Sequence, residues 1–90
     1  MQRTESIPAR RADVMWRRMG EEESVLLNVQ SEEYYSLNEV GTRTWELIDG
    51  QATVEEIAAK LAEEYEAPLP DIEADVRALL QDLRQQGLLD

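Results

Sequence analysis

The fold of this chain is decided by the stretch YYSLNEVG at residues 34–41. In its first half, Tyr35 and Leu37 lie on either side of Ser36, which is the alternation typical of a half-buried β-strand. Its second half begins with Asn38, whose side-chain oxygen can accept a hydrogen bond from a free N–H of a helix's first turn. No loop separates the two halves. The stretch therefore predicts a short strand that leads directly into a helix and is held rigidly against it.

Two further strands are predicted before this stretch. Apolar residues recur at every second position through three short segments, about 13–18, 24–29 and 33–37, although Leu26 lies out of phase. The connections between the segments are short enough for an antiparallel meander, and its apolar face needs helices to cover it. The alternating apolar residues are Val14, Trp16, Val25, Leu27, Val29, Tyr35 and Leu37.

The remaining sequence predicts three helices. The first runs from Asn38 to about Asp49, where Gly50 can take the left-handed conformation that ends a helix. The second opens with Thr53 and Glu56, which have the spacing of a capping box. Its apolar residues recur every three or four positions, as on one face of a helix.

Two prolines, Pro68 and Pro70, are expected to break the chain before a third helix that begins near Asp71 and stops at Gly87. The predicted fold class is α+β and winged-helix-like: a three-stranded antiparallel sheet followed by a three-helix bundle. The helical residues predicted to face the core are Val40, Trp45, Leu47, Ile48, Val54, Ile57, Ala58, Leu61, Ala62, Tyr65, Ile72, Val76, Leu79, Leu80 and Leu83.

Charge divides the chain into two predicted parts. The protein has 90 residues and a formal net charge of −11. Residues 1–19 hold five arginines and two acids, whereas residues 20–90 hold four basic side chains and eighteen acids. We expect residues 1–11 to form a flexible basic arm and residues 12–90 to form one domain. The acidic surface of that domain would repel phosphate backbones and attract cationic peptides.

The composition leaves little for catalysis. The chain contains no cysteine and no histidine, which removes thiolate nucleophiles, the commonest general base and the commonest transition-metal ligand. Its neighbouring acids are typical of solvated turns and helix faces, and no calcium-loop pattern occurs. We therefore expect no catalytic residue, no metal site and no cofactor. No apolar run approaches the roughly 18 residues of a membrane span, so we expect a cytoplasmic protein.

A winged-helix DNA-binding regulator is an alternative of a different class, because such folds often place their last helix in the major groove. Here the last helix carries Asp71, Glu73, Asp75 and Asp82 against two arginines. DNA affinity depends on basic side chains that neutralise phosphates, so this surface has the wrong sign. We expect no nucleic-acid partner.

Several short motifs follow one another in a characteristic order: Val25-Leu26-Leu27, Tyr35-x-Leu37-Asn38, Gly41, Trp45, Asp49-Gly50, Thr53-Val54-Glu55-Glu56-Ile57, Asp75-Val76, Leu79-Leu80, Leu83 and Gly87-Leu88-Leu89. Their order and spacing resemble the PqqD-like family, whose members are also called RiPP recognition elements. The similarity extends from about Ile7 to Leu89. In that family the leader segment of a precursor peptide adds as a strand beside the third strand and lies against the third helix. This binding mode is β-augmentation.

The resemblance implies a peptide-binding site made by an edge strand and a helix. The third strand would offer unpaired N–H and C=O groups at the edge of the sheet. Tyr35 shares the phase of Leu37, so Tyr34 is expected to face the other way, either as a plain exposed aromatic or as a contact to the leader. The acids of the third helix either meet a basic leader side chain or are merely solvated. The residues implied as leader-binding are Glu33, Tyr34, Tyr35, Ser36, Leu37, Asp75, Val76, Leu79, Asp82 and Leu83.

Within the family, the chain is most similar to the discrete leader-binding proteins of lasso-peptide biosynthesis. That likeness implies three partners: a precursor leader peptide, a leader peptidase that receives the precursor, and a macrolactam-forming cyclase. Lasso leaders commonly carry a Tyr-x-x-Pro element, which an apolar slot would suit. The alternative within the family is a PqqD-type peptide chaperone for a radical SAM enzyme.

Overall fold

The chain forms three strands followed by three helices, in a computed structural model that describes residues 7–90. The elements are β1 Val14–Arg18, β2 Ser24–Asn28, β3 Glu33–Leu37, α1 Glu39–Leu47, α2 Val54–Tyr65 and α3 Leu69–Gln85. The strands form one antiparallel sheet in the order β1-β2-β3, which leaves β3 at an edge. The predicted α+β class and order of elements are confirmed.

The predicted inward face of β2 is wrong. Leu26, the residue out of phase, is fully buried, whereas the three residues of the predicted alternation are half-buried or exposed. These are Val25, Leu27 and Val29. β2 carries apolar side chains on both faces, so alternation alone does not decide which face is inward. The inward face also contains Ser24, whose buried hydroxyl lies 2.8 Å from the hydroxyl of Thr42, and this polar residue obscures the pattern.

Both predicted helix caps are formed. The Asn38 side-chain oxygen accepts from the Gly41 N–H at 2.8 Å and begins α1 directly after β3. At the start of α2, the Glu56 N–H donates to the Thr53 hydroxyl at 3.1 Å, and the Glu56 carboxylate accepts from the Thr53 N–H at 2.8 Å. These caps satisfy N–H groups that would otherwise lack partners. α1 ends at Leu47, slightly earlier than predicted.

The start of α3 differs from the prediction. α3 begins at Leu69, so Pro70 lies in its first turn instead of preceding it, and Pro68 takes the cap position. A proline is tolerated there because the first-turn N–H groups have no partner within the helix. At the other end, Gly87 has a φ of 73° and the Leu88 N–H donates to the Leu83 carbonyl, which closes the helix as predicted.

The core lies between the inner face of the sheet and the helices. Trp45 is its largest buried side chain. Several residues predicted to face inward, including Val40, Leu47 and Tyr65, are half-buried at its margin. The buried apolar residues are Leu26, Leu37, Trp45, Ile48, Val54, Ile57, Ala58, Leu61, Ile72, Val76, Leu80, Leu83, Leu88 and Leu89.

The segment 9–11 is hydrogen-bonded to the C-terminus. The Asp90 N–H donates to the Ala9 carbonyl at 2.9 Å, and the Arg11 N–H donates to the Leu88 carbonyl at 3.2 Å. These bonds hold residues 9–11 of the predicted arm against the end of the chain, and the division into an arm at 1–11 and a domain at 12–90 stays a prediction. Residues 1–6 of the predicted arm lie outside the described residues.

Arg10 attaches this segment to two tryptophans. Its guanidinium carbon lies 4.9 Å from the centre of the Trp45 ring and 5.9 Å from that of the Trp16 ring, within the range of cation–π attraction. The guanidinium also donates a hydrogen bond to the Trp45 carbonyl oxygen. Burial lowers the pKa of Arg10, and the carboxylates of Asp49 and Glu46 oppose that shift.

Replacing Arg10 by Ala is expected to lower the free energy of unfolding by about 1–2 kcal/mol, because a cation–π contact and a charged hydrogen bond are lost. Urea unfolding followed by circular dichroism measures the loss. Arg11→Ala is the matched control, since Arg11 makes an ion pair with Asp13 (Nε to Oδ1 3.3 Å) in which both side chains remain more than a third exposed. Equal losses in the two variants would contradict a structural role for the Arg10 contacts.

Candidate functional site

A groove runs between β3 and α3 and ends at the β1–β2 hairpin. Its volume is about 770 Å³. Residues of β3, of the start of α1, of one flank of α3 and of the hairpin each form part of its wall. The direct passage from β3 into α1 fixes two of these walls relative to each other, because the Asn38 cap leaves no loop between them. A groove of this shape can hold an extended chain that lies alongside β3.

The floor of the groove is apolar. Leu37 and Ile72 are buried with 3% and 7% of their surfaces exposed, and Val40 and Leu79 are half-buried beside them. Gly41 also lines the groove. A Cβ atom at Gly41 would lie 3.2 Å from both the Leu37 side chain and the capping amide oxygen, so glycine permits this close approach. An apolar side chain from a bound segment would lose water contact here.

Two backbone hydrogen bonds just beyond the strand ends show which residue pairs of the sheet are hydrogen-bonded to each other. The Met19 N–H donates to the Glu23 carbonyl at 2.8 Å, and the Val29 N–H donates to the Asp13 carbonyl at 3.4 Å. Antiparallel pairs alternate between hydrogen-bonded and non-hydrogen-bonded. In the observed register, the odd-numbered residues of β2 therefore bond to β1 and its even-numbered residues bond to β3.

This phase decides which backbone groups of β3 are available at the edge. Leu26 and Tyr35 are register partners, so the N–H and C=O groups of Tyr35 point toward β2. The groups of Tyr34 and Ser36 consequently point outward, away from the sheet. β3 is an edge strand and none of its residues is a proline. A peptide strand placed beside it would find these two residues ready to pair.

Among residues 7–90, the charged side chains that line the groove are both acidic: Glu23 of the hairpin and Asp75 of α3. A third acid, Asp82, lies close enough to act on Tyr35. The pKa of Tyr35 is raised, first by burial and then by the negative charge of Asp82. The electrostatics of the groove therefore favour a segment that carries positive charge near its apolar side chains.

Five of the ten residues predicted to bind the leader line the groove: Tyr35, Ser36, Leu37, Asp75 and Leu79.

The other five predicted residues lie elsewhere. Val76 and Leu83 are buried in the core, with 2% and 0% of their surfaces exposed, because the central stripe of α3 packs inside the domain. Asp82 and Glu33 are exposed outside the groove wall. Tyr34 is 72% exposed and faces away from the helices, the direction expected from its phase. Only the flank of α3 that contains positions 75 and 79 reaches the groove.

Sequence reasoning missed the contribution of the hairpin and of α1. Met19 and Glu23 line the groove from the turn between β1 and β2, and no local pattern in the sequence signals that position. Gly41 did carry a signal, since a glycine within a helix often marks a close approach. The groove residues that were not predicted are Met19, Glu23, Ser24, Val25, Asn38, Val40, Gly41 and Ile72.

The outer side of α3 is occupied by ion pairs. The Arg77 guanidinium lies 2.8 Å from the Glu73 carboxylate and 2.7 Å from that of Glu55 in α2. The positive charge of Arg77 is thus balanced by two acids. Within residues 7–90, no three acidic side chains come together as ligands for a metal ion. In the same part of the chain, every helix is too short or too polar to cross a membrane.

A protein-family model described as coenzyme PQQ synthesis protein D (PqqD) matches residues 23–89. Among curated proteins, the PqqA binding protein of Rhizobium meliloti (strain 1021) is 29% identical over 55 residues. That alignment covers 61% of this chain and 56% of the relative, so the chain spans little more than half the length of the curated relative.

Solved structures with this fold include two complexes with leader peptides. TbiB1 in complex with the TbiA(beta) leader peptide is 32% identical, with a TM-score of 0.83 over 91% of this chain and 94% of that chain. Lasso peptide synthetase B1 complexed with the leader peptide is 28% identical, with a TM-score of 0.77 over 94% and 99%. The PqqD truncation of Methylobacterium extorquens PqqCD, a stand-alone RiPP recognition element, is 29% identical, with a TM-score of 0.74 over 92% and 87%.

Proposed function

We propose that this chain, which belongs to the PqqD family, is a non-catalytic recognition protein for the leader segment of a ribosomally made precursor peptide. The leader adds as a fourth strand beside β3, and the chain delivers the bound precursor to a modifying enzyme. The observation that carries the proposal is the open edge of β3 beside an apolar groove. The outward backbone groups of Tyr34 and Ser36 supply affinity, and the groove walls supply selectivity.

A role in lasso-peptide biosynthesis is the preferred form of this proposal. Two solved structures of the same fold, each covering more than nine-tenths of this chain, hold leader peptides, and one of them is a lasso peptide synthetase B1. The partners proposed are the precursor leader, a leader peptidase that receives it and a macrolactam-forming cyclase. A cytoplasmic location belongs to the proposal, since the precursor is made there by ribosomes.

A PqqD-type chaperone for a radical SAM enzyme is the second candidate. It is favoured by the family model and by the likeness to the PqqA binding protein of Rhizobium meliloti. The gene neighbours of the chain separate the two pathways: a small precursor beside a peptidase gene favours the lasso role, and a radical SAM gene favours the other.

A peptide titration and a gel-shift assay test the proposed class of function. The probes are the leader of the precursor encoded beside this chain and a random DNA duplex. We expect the leader to bind with a dissociation constant of about 1 μM or tighter and without turnover. Amide chemical shifts should change at residues 32–37 and on the 72–79 flank of α3. Duplex binding that survives physiological salt would contradict the proposal in favour of a DNA-binding regulator.

Asp75→Lys is expected to slow association of the leader several-fold and to change its dissociation little, because a charge at the groove rim acts mainly on encounter. Stopped-flow or surface-plasmon measurements at two salt concentrations separate the two rates. Asp71→Lys is the matched control, since Asp71 is an exposed acid of the same helix outside the groove wall. An equal effect of both changes would show that overall charge, and not the groove, steers the leader.

A further inference from the structure

The outer face of the sheet carries a row of apolar side chains that reaches the open edge. Met15 of β1 pairs with Leu27 of β2, and Leu27 pairs with Tyr34 of β3. All three side chains point away from the helices, since their neighbours on each strand point inward. Met15 and Tyr34 are 62% and 72% exposed, while Leu27 between them is half-buried. The row ends at Tyr34 with nothing beside it in the described part of the chain.

Within residues 7–90, no acid occupies an outward position of the three strands, although the chain contains twenty acids. The outward positions of the three strands are held by Met15, Arg17, Val25, Leu27, Tyr34 and Ser36. Arg17 is the only charged residue in this set. In a chain with a net charge of −11, a face with this composition is suited to an apolar neighbour.

A strand added beside β3 would provide that neighbour. Residues directly opposite each other on paired strands point to the same face of a sheet, with Cβ atoms about 5 Å apart. The residue opposite Tyr34 would therefore point outward and become the fourth member of the row. The residues opposite Tyr35 and Leu37 would point into the groove. The occupant that this geometry fits is one side chain of the leader itself.

We infer that Tyr34 is a specificity-determining residue that selects an apolar leader side chain on the outer face of the sheet, independently of the groove. The inference rests on the proposed addition of the leader to β3. The segment of the leader that pairs with β3 would then carry apolar side chains at adjacent positions. One of them joins the outer row, and its neighbours enter the groove. If the groove alone selected the leader, the leader would need apolar residues only at alternate positions.

Selection from a phage-displayed library of random dodecapeptides on the immobilised full chain tests this pattern. We expect enriched peptides to carry apolar residues at adjacent positions. Selection on Tyr34→Ser should remove the preference at the outward position and keep the preference at the groove positions. Tyr34→Phe should retain both. Met15→Ser is the matched control, because Met15 is exposed in the same row but β2 and β3 separate it from the leader. Selection on Met15→Ser should retain both preferences.

Affinities of synthetic peptides provide a second readout. Replacing the outward apolar residue of an enriched peptide by Ser should weaken binding to the natural chain about two- to fivefold, the scale of an aromatic cross-strand pair. The same replacement should have no effect on binding to Tyr34→Ser.

Ser36→Pro separates failure of this inference from failure of the proposed function. If peptides are selected and lost with Ser36→Pro, but the outward position shows no dependence on Tyr34, the inference is overturned while leader addition stands. If no selected peptide is sensitive to Ser36→Pro, strand addition itself fails and the inference falls with it. If Tyr34→Ser instead dissociates a dimer of the free chain in sedimentation, the row is a self-interface and the inference is also overturned.

Discussion

Trp45→Ala is expected to remove about 3–5 kcal/mol of the free energy of unfolding, which is much of the stability of a 90-residue domain. Trp45 is 2% exposed and belongs to the buried apolar cluster that joins the sheet and the helices. Its replacement leaves a cavity in a small core and removes the ring on which Arg10 stacks. The melting temperature should fall by roughly 15 °C or more.

Two further variants serve as controls for Trp45→Ala. Trp45→Phe keeps most of the ring and removes an indole N–H that has no hydrogen-bond acceptor among the described residues, so it should cost much less. Tyr34→Ala removes an aromatic that is 72% exposed and should leave the melting temperature nearly unchanged. Urea and thermal unfolding measure all three variants. A small loss for Trp45→Ala, or a large one for Tyr34→Ala, would mean that the core has been assigned wrongly.

Ser36→Pro is expected to weaken leader binding by at least tenfold while the chain stays folded. The Ser36 N–H points away from β2, so proline removes no hydrogen bond of the sheet itself, and proline is tolerated on an edge strand. It does remove one of the two N–H groups that would pair with the leader, and its ring occupies the position of that bond. The carbonyl partner on the leader would then be buried without a donor, which adds to the loss.

Ser36→Ala is the matched control for this position, since it removes the hydroxyl and keeps the N–H. It should bind the leader as the natural chain does. Calorimetric titration compares the two variants, and circular dichroism verifies that both are folded. If Ser36→Ala and Ser36→Pro bind equally well, the leader does not pair with β3, even if it occupies the groove.

The elements of the fold could be predicted because their signals are local. The caps at Asn38 and Thr53 depend on residues within one turn, and the strand boundaries depend on alternation over five or six positions. α3 begins before its predicted start because Pro70, which the sequence predicts to break the chain, is equally suited to a first helical turn. The local sequence does not distinguish a proline that breaks a helix from one that begins it. The path of the chain in the folded structure does.

The candidate site could be predicted only in part. The junction of β3 and α1 identified Tyr35, Ser36 and Leu37, because one short stretch contains both the edge strand and the start of the helix. The apolar stripe of α3 did not reveal which of its residues face the groove. Val76 and Leu83 are buried in the core instead, and this depends on how α3 packs against the rest of the domain.

The sequence by itself therefore determined the order of strands and helices, the caps and the edge strand that leads into α1, since each follows from residues a few positions apart. The tertiary structure alone decided which face of β2 is buried, which flank of α3 borders the groove and that segment 9–11 pairs with the C-terminus. These features arise from contacts between residues far apart in the chain. Apolar side chains on both faces of β2 and around much of α3 suit more than one arrangement, and only mutual packing of all the elements selects one.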